Sequence, residues 1–201
     1  LFVTTGAAVW QAQVATASAA RANKEAKRAN TAQKFLAGLF ASADPEKSKT
    51  STAFAKQVLE RGLATAEREL ADDAEAHALV LQQIGDIYDR LGLPEESLAA
   101  QQRRVALLET VAGVDPNTIA DARLALGNAL ASSTVVARHA EAMPWFVLAH
   151  ERGVADGASA ERIALALCSI ADQHRTAKRL PEARRVAQEA LTFSLRSLPN
   201  P

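Results

Sequence analysis

Three short stretches repeat the same order of large and small side chains, and this repetition limits the fold more than any other feature. Leu81, Ile84, Gly85 and Tyr88 stand in "LQQIGDIYDRLGL". Leu126, Gly127 and Leu130 stand in "LALGNALASS", and Ile170, Ala171 and His174 in "LCSIADQHRTAKRL". The small residues Gly85, Gly127 and Ala171 lie 42 and 44 positions apart. A helical second stretch follows each. The clearest are Ala142, Phe146, Ala149 and Ala183, Ala187, Ala190, whose i, i+4, i+7 spacing puts them on one helix face. Two antiparallel helices recurring at such a period form an α-solenoid.

The rest of the chain agrees with an all-α fold. No sustained apolar/polar alternation and no Asn-Gly hairpin signal is present. Pro45, Pro94, Pro116 and Pro181 fall between helical patterns or at their starts. Residues 8–42 read as one long alanine-rich helix. Only its end carries a strong apolar stripe, Phe35, Leu36, Leu39 and Phe40. A polar loop, "DPEKSKTST", follows, and Ser51 or Thr52 can cap the next helix. Residues 53–70 carry Phe54, Val58, Leu59, Leu63, Ala66 and Leu70 at helical period. Aromatic residues are 4% and much of the 48% hydrophobic content is alanine. The expected core therefore consists of close helix contacts.

Charge sets further bounds. The net charge is zero, so no whole-chain field favours nucleic acid. Residues 21–34 hold Arg21, Lys24, Lys27, Arg28 and Lys34 against Glu25 alone. A basic run after the apolar "LFVTTGAAVW" predicts a juxtamembrane segment, with Trp10 as interfacial anchor. Residues 1–10 are shorter than the roughly 20 residues a spanning helix needs. They are expected to be the end of a transmembrane helix in a piece of a longer protein.

Catalytic motifs are missing. The chain has no glycine-rich loop, HRD, DFG or P-loop. His77, His139, His150 and His174 lack metal-ligand spacing, and the single Cys168 makes no disulfide framework. Asp72-Asp73 and Glu95-Glu96 suit helix capping and the helix dipole. Neither a metal nor a cofactor is expected, and this chain is not expected to be an enzyme.

The large-large-small and small-aromatic-small patterns resemble the tetratricopeptide repeat (TPR). The usual period of that family is about 34 residues. The longer period here resembles its stretched variant, as in kinesin light chain. The chain departs from the pattern in three places. Ser97, Gln101 and Arg104 stand where helix B expects small or aromatic residues, which suggests a shifted or exposed helix. "SSTVVARHA" lengthens one connection. His174 takes an aromatic place, and Lys178 the place of the turn glycine.

The series of apolar segment, basic helix, "FLAGLFASADP", "AKQVLERGLATAERELADD" and "IGDIYDRLGL" is similar to the region that follows the transmembrane helix in bacterial receptor-type serine/threonine protein kinases with C-terminal TPR repeats. The resemblance implies a right-handed TPR-like α-solenoid behind a long N-terminal juxtamembrane helix. It divides the chain into a stalk, 1–30, and a repeat domain, 31–201, with units at 31–73, 76–112, 117–153 and 159–197. Phe35 to Phe40 become the first helix of a degenerate unit. Ile84, Gly85, Tyr88, Leu126, Gly127, Ala142, Phe146, Ala149, Ala171, Ala183 and Ala190 become repeat-packing residues. Gln82, Asp86, Asp89, Asp121, Asn128, Asp172 and Arg175 line the concave, partner-binding face.

The function implied is non-catalytic binding of a protein or peptide, with a basic one expected from the acidic face, coupled to a kinase domain outside this chain. A TPR scaffold of a transcriptional regulator or assembly factor, or a homodimerisation module, is the alternative. The resemblance implies a single-pass membrane protein with the repeats on the extracytoplasmic side, whereas the basic cluster favours the cytoplasmic side.

Overall fold

The computed structural model describes residues 3–41 and 52–197. These are all-α and helical repeat-like. In order they form α1 (Val3–Ala41), α2 (Thr52–Glu69), α3 (Ala74–Arg90), α4 (Pro94–Glu109), α5 (Pro116–Ser132), a 3-10 turn (Val136–Arg138), α6 (His139–Asp156), α7 (Ala160–Thr176) and α8 (Leu180–Ser197). The chain divides into two compact units with the boundary inside α3, between Val80 and Leu81.

In the first unit α1 contacts α2. The described side chains from Gln11 to Lys27 are exposed, and burial begins at Arg28 and the fully buried Ala32. Arg28 and Lys24 form ion pairs with Glu75, the first of them close. Phe35 and Leu36 are half-buried. The side chains of Leu39, Phe40 and Trp10 and the polar loop with Ser51 lie outside the described residues. On α2, Val58, Leu59, Gly62 and Ala66 form the buried stripe. Asp73 caps α3, its Oδ1 accepting from Ala76 N at 3.0 Å.

No helix among the described residues is long and apolar enough to cross a membrane. This overturns the expected single-pass anchor, and with it the extracytoplasmic placement of the repeats. The reason lies in α1 itself. Its 39 residues are mostly small or polar and include the whole basic run, whereas a spanning helix needs roughly 20 predominantly apolar residues.

In the second unit, neighbouring helices pack in pairs, α5 with α6 and α7 with α8, while α6 contacts α7 and α4 contacts α5. The small residues mark the closest approaches. A Cβ on Gly85 would lie 2.7 Å from Gln101 Nε2 and 3.7 Å from Ala100 Cβ, both on α4. Gly127 lies under the Phe146 ring, flanked on α6 by the buried Ala142 and Ala149. Ile84, Tyr88 and Leu126 are buried.

Two expectations change here. α4 is neither shifted nor exposed: Ser97, Gln101 and Arg104 lie on its buried face, at 0%, 3% and 4% exposure. A polar face is tolerated because the glycine opposite leaves room for Gln101. On α8, Ala187 is exposed, Val186 and Ala190 are buried, and Ala183 is half-buried. Since 3.6 residues make a turn, i+3 and i+4 straddle a face, and the neighbour α7 selects the i+3 residue.

Helix ends follow local chemistry. Pro94 and Pro116 begin α4 and α5, where their missing N–H costs nothing. Asp115 Oδ2 accepts from Asn117 N at 3.0 Å and Thr118 N at 3.2 Å. Pro144 instead sits inside α6, exposed. The end of α3 closes with Leu93 N donating to Tyr88 O at 2.9 Å and Gly92 N to Asp89 O at 3.0 Å, with Gly92 at φ +71°. The end of α7 makes the same bonds, Arg179 N to His174 O and Lys178 N to Arg175 O, with Lys178 at φ +58°. Lys178 thus adopts the left-handed conformation that Gly92 supplies more cheaply.

Candidate functional site: a groove between α3 and α5

A groove of about 650 Å³ runs between α3 and α5. Asp86 and Asp89 line it from α3, one turn apart. Asn128 and Ala129 line it from α5, and Gln101 from α4. Its volume lies within the usual range of ligand sites.

One rim is held by a polar clasp. Glu95, at the start of α4, accepts from Ser133 Oγ at 2.7 Å and Thr134 Oγ1 at 3.2 Å through Oε1, and from Arg138 Nη1 at 2.7 Å through Oε2. Ser133 Oγ in turn accepts from Val135 N at 3.1 Å. His139 Nε2 stands 2.9 Å from Ser133 O. The lengthened "SSTVVARHA" connection is thereby tied to α4, and it brings Thr134 to the groove beside Pro94. The Ser133 hydrogen bond, with Arg138 and Thr134, holds the Glu95 carboxyl below its usual range.

The groove has a negative character, which Arg104 and Arg90 offset only in part. Burial pushes the Asp86 carboxyl above its usual range, and the charge of Asp89 pushes it the same way, against Arg104 and Arg90. Neither Asp86 nor Asp89 has a direct ion-pair partner among the described residues. Gln101 Oε1, Ser97 Oγ and Arg104 Nε are buried without hydrogen-bond partners among the described residues. Burial holds the Arg104 guanidinium below its usual range, while Asp121 and Asp86 act to raise it.

The sequence-derived face residues separate into two groups. Asp86, Asp89 and Asn128 come together in the groove, while half-buried Gln82 is not among its lining. Asp121 pairs with Arg162 of α7, Nε to Oδ1 2.6 Å, and this charge lifts the Arg162 guanidinium above its usual range against its own burial. Close by, Asn117 Oδ1 accepts from Ser159 N at 2.7 Å, so α5 and α7 are tied at their starts. Asp172 accepts from Arg175 at 2.5 Å on the same exposed helix turn. Four acidic residues therefore reduce to two that lack a direct ion pair among the described residues. Gln101 was missed as a groove residue, because nothing local in the sequence distinguishes a buried glutamine from a solvated one.

A second concavity, of about 290 Å³, lies where α4, α5 and α6 meet. It is already neutralised: Arg123 pairs with Glu109 at 3.2 Å and Arg152 with Asp156 at 3.5 Å. No group of three or more His, Cys, Asp or Glu among the described residues is placed to hold a metal ion. A comparison with known protein families, curated proteins and solved structures found no match for this chain.

Proposed function

We propose that this chain is a TPR-type repeat module, a right-handed array of helix pairs, that binds a segment of a partner protein in the α3–α5 groove. The observation that carries this reading is the groove lining. Asp86, Asp89 and Asn128, assigned to one face by repeat register alone, line a single concavity together with Gln101, whose buried Oε1 is unpaired among the described residues. The packing of Gly127 under Phe146, between Ala142 and Ala149, supports the TPR assignment because it is the small-aromatic-small contact of a helix pair. The resemblance of the whole series to kinase-linked repeat regions supports a role as the binding or sensory part of a serine/threonine protein kinase whose catalytic domain lies outside this chain.

The test is capture of a partner from the native host, with the full chain as bait, against the Ala129→Trp variant. Ala129 is half-buried in the groove wall, so the indole fills the concavity. Loss of one specific partner with unchanged melting supports the groove; identical capture refutes it.

A second reading, self-association, is favoured by Leu180, Leu191 and Leu195, all about 60% exposed on α8. Sedimentation across concentrations decides it: a concentration-dependent mass that Leu191→Glu abolishes supports a dimer.

A further inference from the structure

We propose that the α3–α5 groove receives a long basic side chain, lysine or arginine, carried by the partner segment, with its cationic head held by Asp86, Asp89 and Gln101 Oε1. This rests on the reading of the groove as a partner-binding surface and names the chemistry it selects.

Three independent features converge. First, Asp86 and Asp89 sit one helical turn apart on one face and lack a direct ion pair among the described residues. Paired carboxylates repel, and a shared cation removes the repulsion. Second, Gln101 is 3% exposed and lines the groove, and its Oε1 has no hydrogen-bond partner among the described residues. Its Nε2 lies in the space that a Cβ at Gly85 would take. A buried acceptor left unpaired carries a desolvation cost that a ligand's N–H donor relieves. Third, no basic residue among the described residues lines the groove, whereas Pro94, Ala125 and Ala129 offer an apolar wall. A lysine or arginine stem lies along such a wall while its head reaches polar groups.

Other occupants fit less well. An acidic segment would meet two carboxylates that have no direct ion pair among the described residues. Among the described residues no group of three or more His, Cys, Asp or Glu is placed to hold a metal ion, so an inorganic cation would have only two carboxylates as charged ligands.

The experiment is a titration of the isotope-labelled full chain with the capped peptide Ac-Gly-Ser-Lys-Ser-Gly-amide, followed by the side-chain amide resonances of Gln101 and Asn128. Parallel arms replace Lys with Arg, acetyl-lysine or Glu. The Lys arm, the Arg arm or both should shift these resonances saturably, and the acetyl-lysine and Glu arms should not. The ratio of the two basic arms tells ammonium from guanidinium. The pair Asp86→Asn with Asp89→Asn should weaken binding about tenfold or more, through loss of charge-assisted hydrogen bonds. Asn128→Asp, at an exposed position, should tighten it. That variant keeps the test intact if Gln101→Met, which removes the acceptor, fails to fold.

Silence of Gln101 and Asn128 in both basic arms overturns the proposal, as does equal binding of acetyl-lysine. If Ala129→Trp abolishes partner capture while the peptides stay silent, the groove binds a partner by other chemistry. If the peptides bind while Ala129→Trp leaves capture intact, the cation site stands and the partner-binding reading falls.

Discussion

The ring of Phe146 on α6 occupies the space where a Cβ at Gly127 on α5 would project, with Cδ1 at 2.7 Å and Cζ at 2.9 Å from that point. The ring is fully buried and cannot retreat. Gly127→Ala should therefore force the two helices apart and cost about 1–3 kcal/mol, the usual penalty of overpacking. Gly85→Ala should cost less, because the atom it meets, Gln101 Nε2, ends a flexible side chain. Chemical denaturation of both variants checks this, and equal midpoints would contradict the packing described.

Lys178 stands at φ +58° where α3 has Gly92 at φ +71°. A non-glycine residue in the left-handed region costs roughly 1–2 kcal/mol. Lys178→Gly should recover part of that, offset by the greater freedom glycine has when unfolded, for a net gain of about 0.5–1 kcal/mol. A rise in melting temperature is the expected result. A fall would mean that the lysine side chain makes a contact worth more than the strain.

Glu95 titrates below its ordinary value of 4.5 because it accepts from Ser133, Thr134 and Arg138. A carboxyl with a lowered folded pKa contributes stability that is complete above its ordinary value and is lost as pH falls through the folded one. Glu95→Gln should lower the melting temperature at neutral pH, and the gap from the parent should close as pH drops below 4.5. A gap independent of pH would show that Glu95 acts by shape alone.

Asp86 has the opposite sign. Burial and Asp89 raise its folded pKa above the ordinary 3.8, so ionisation penalises the folded state above that value, and the penalty disappears as pH falls below it. Asp86→Asn should melt at the same or a higher temperature at neutral pH while weakening the capture of a basic segment. A clear loss of stability would mark Asp86 as a structural residue.

Much of the fold was legible because its determinants are local. The helix pattern is a periodicity, Pro94, Pro116 and Asp115 mark helix starts by their own chemistry, and Gly85 and Gly127 stand out because a residue without a side chain has few other uses inside a helix. The groove was legible only in part. Register alone placed Asp86, Asp89 and Asn128 on one face, but it counted Asp121 and Asp172 as equal contributors.

The sequence by itself determined an all-α chain of helix pairs and the positions where those pairs come closest. Only the tertiary structure decided what burial and charge depend on between elements. It placed Gln101 and Arg104 inside, turned Val186 rather than Ala187 toward the core, and neutralised Asp121 with Arg162 from another helix. No described helix is long and apolar enough to cross a membrane, which overturns the expected anchor. Periodicity specifies which residues share a face. What that face meets depends on groups forty residues away, and a side chain's burial or net charge is a property of both partners.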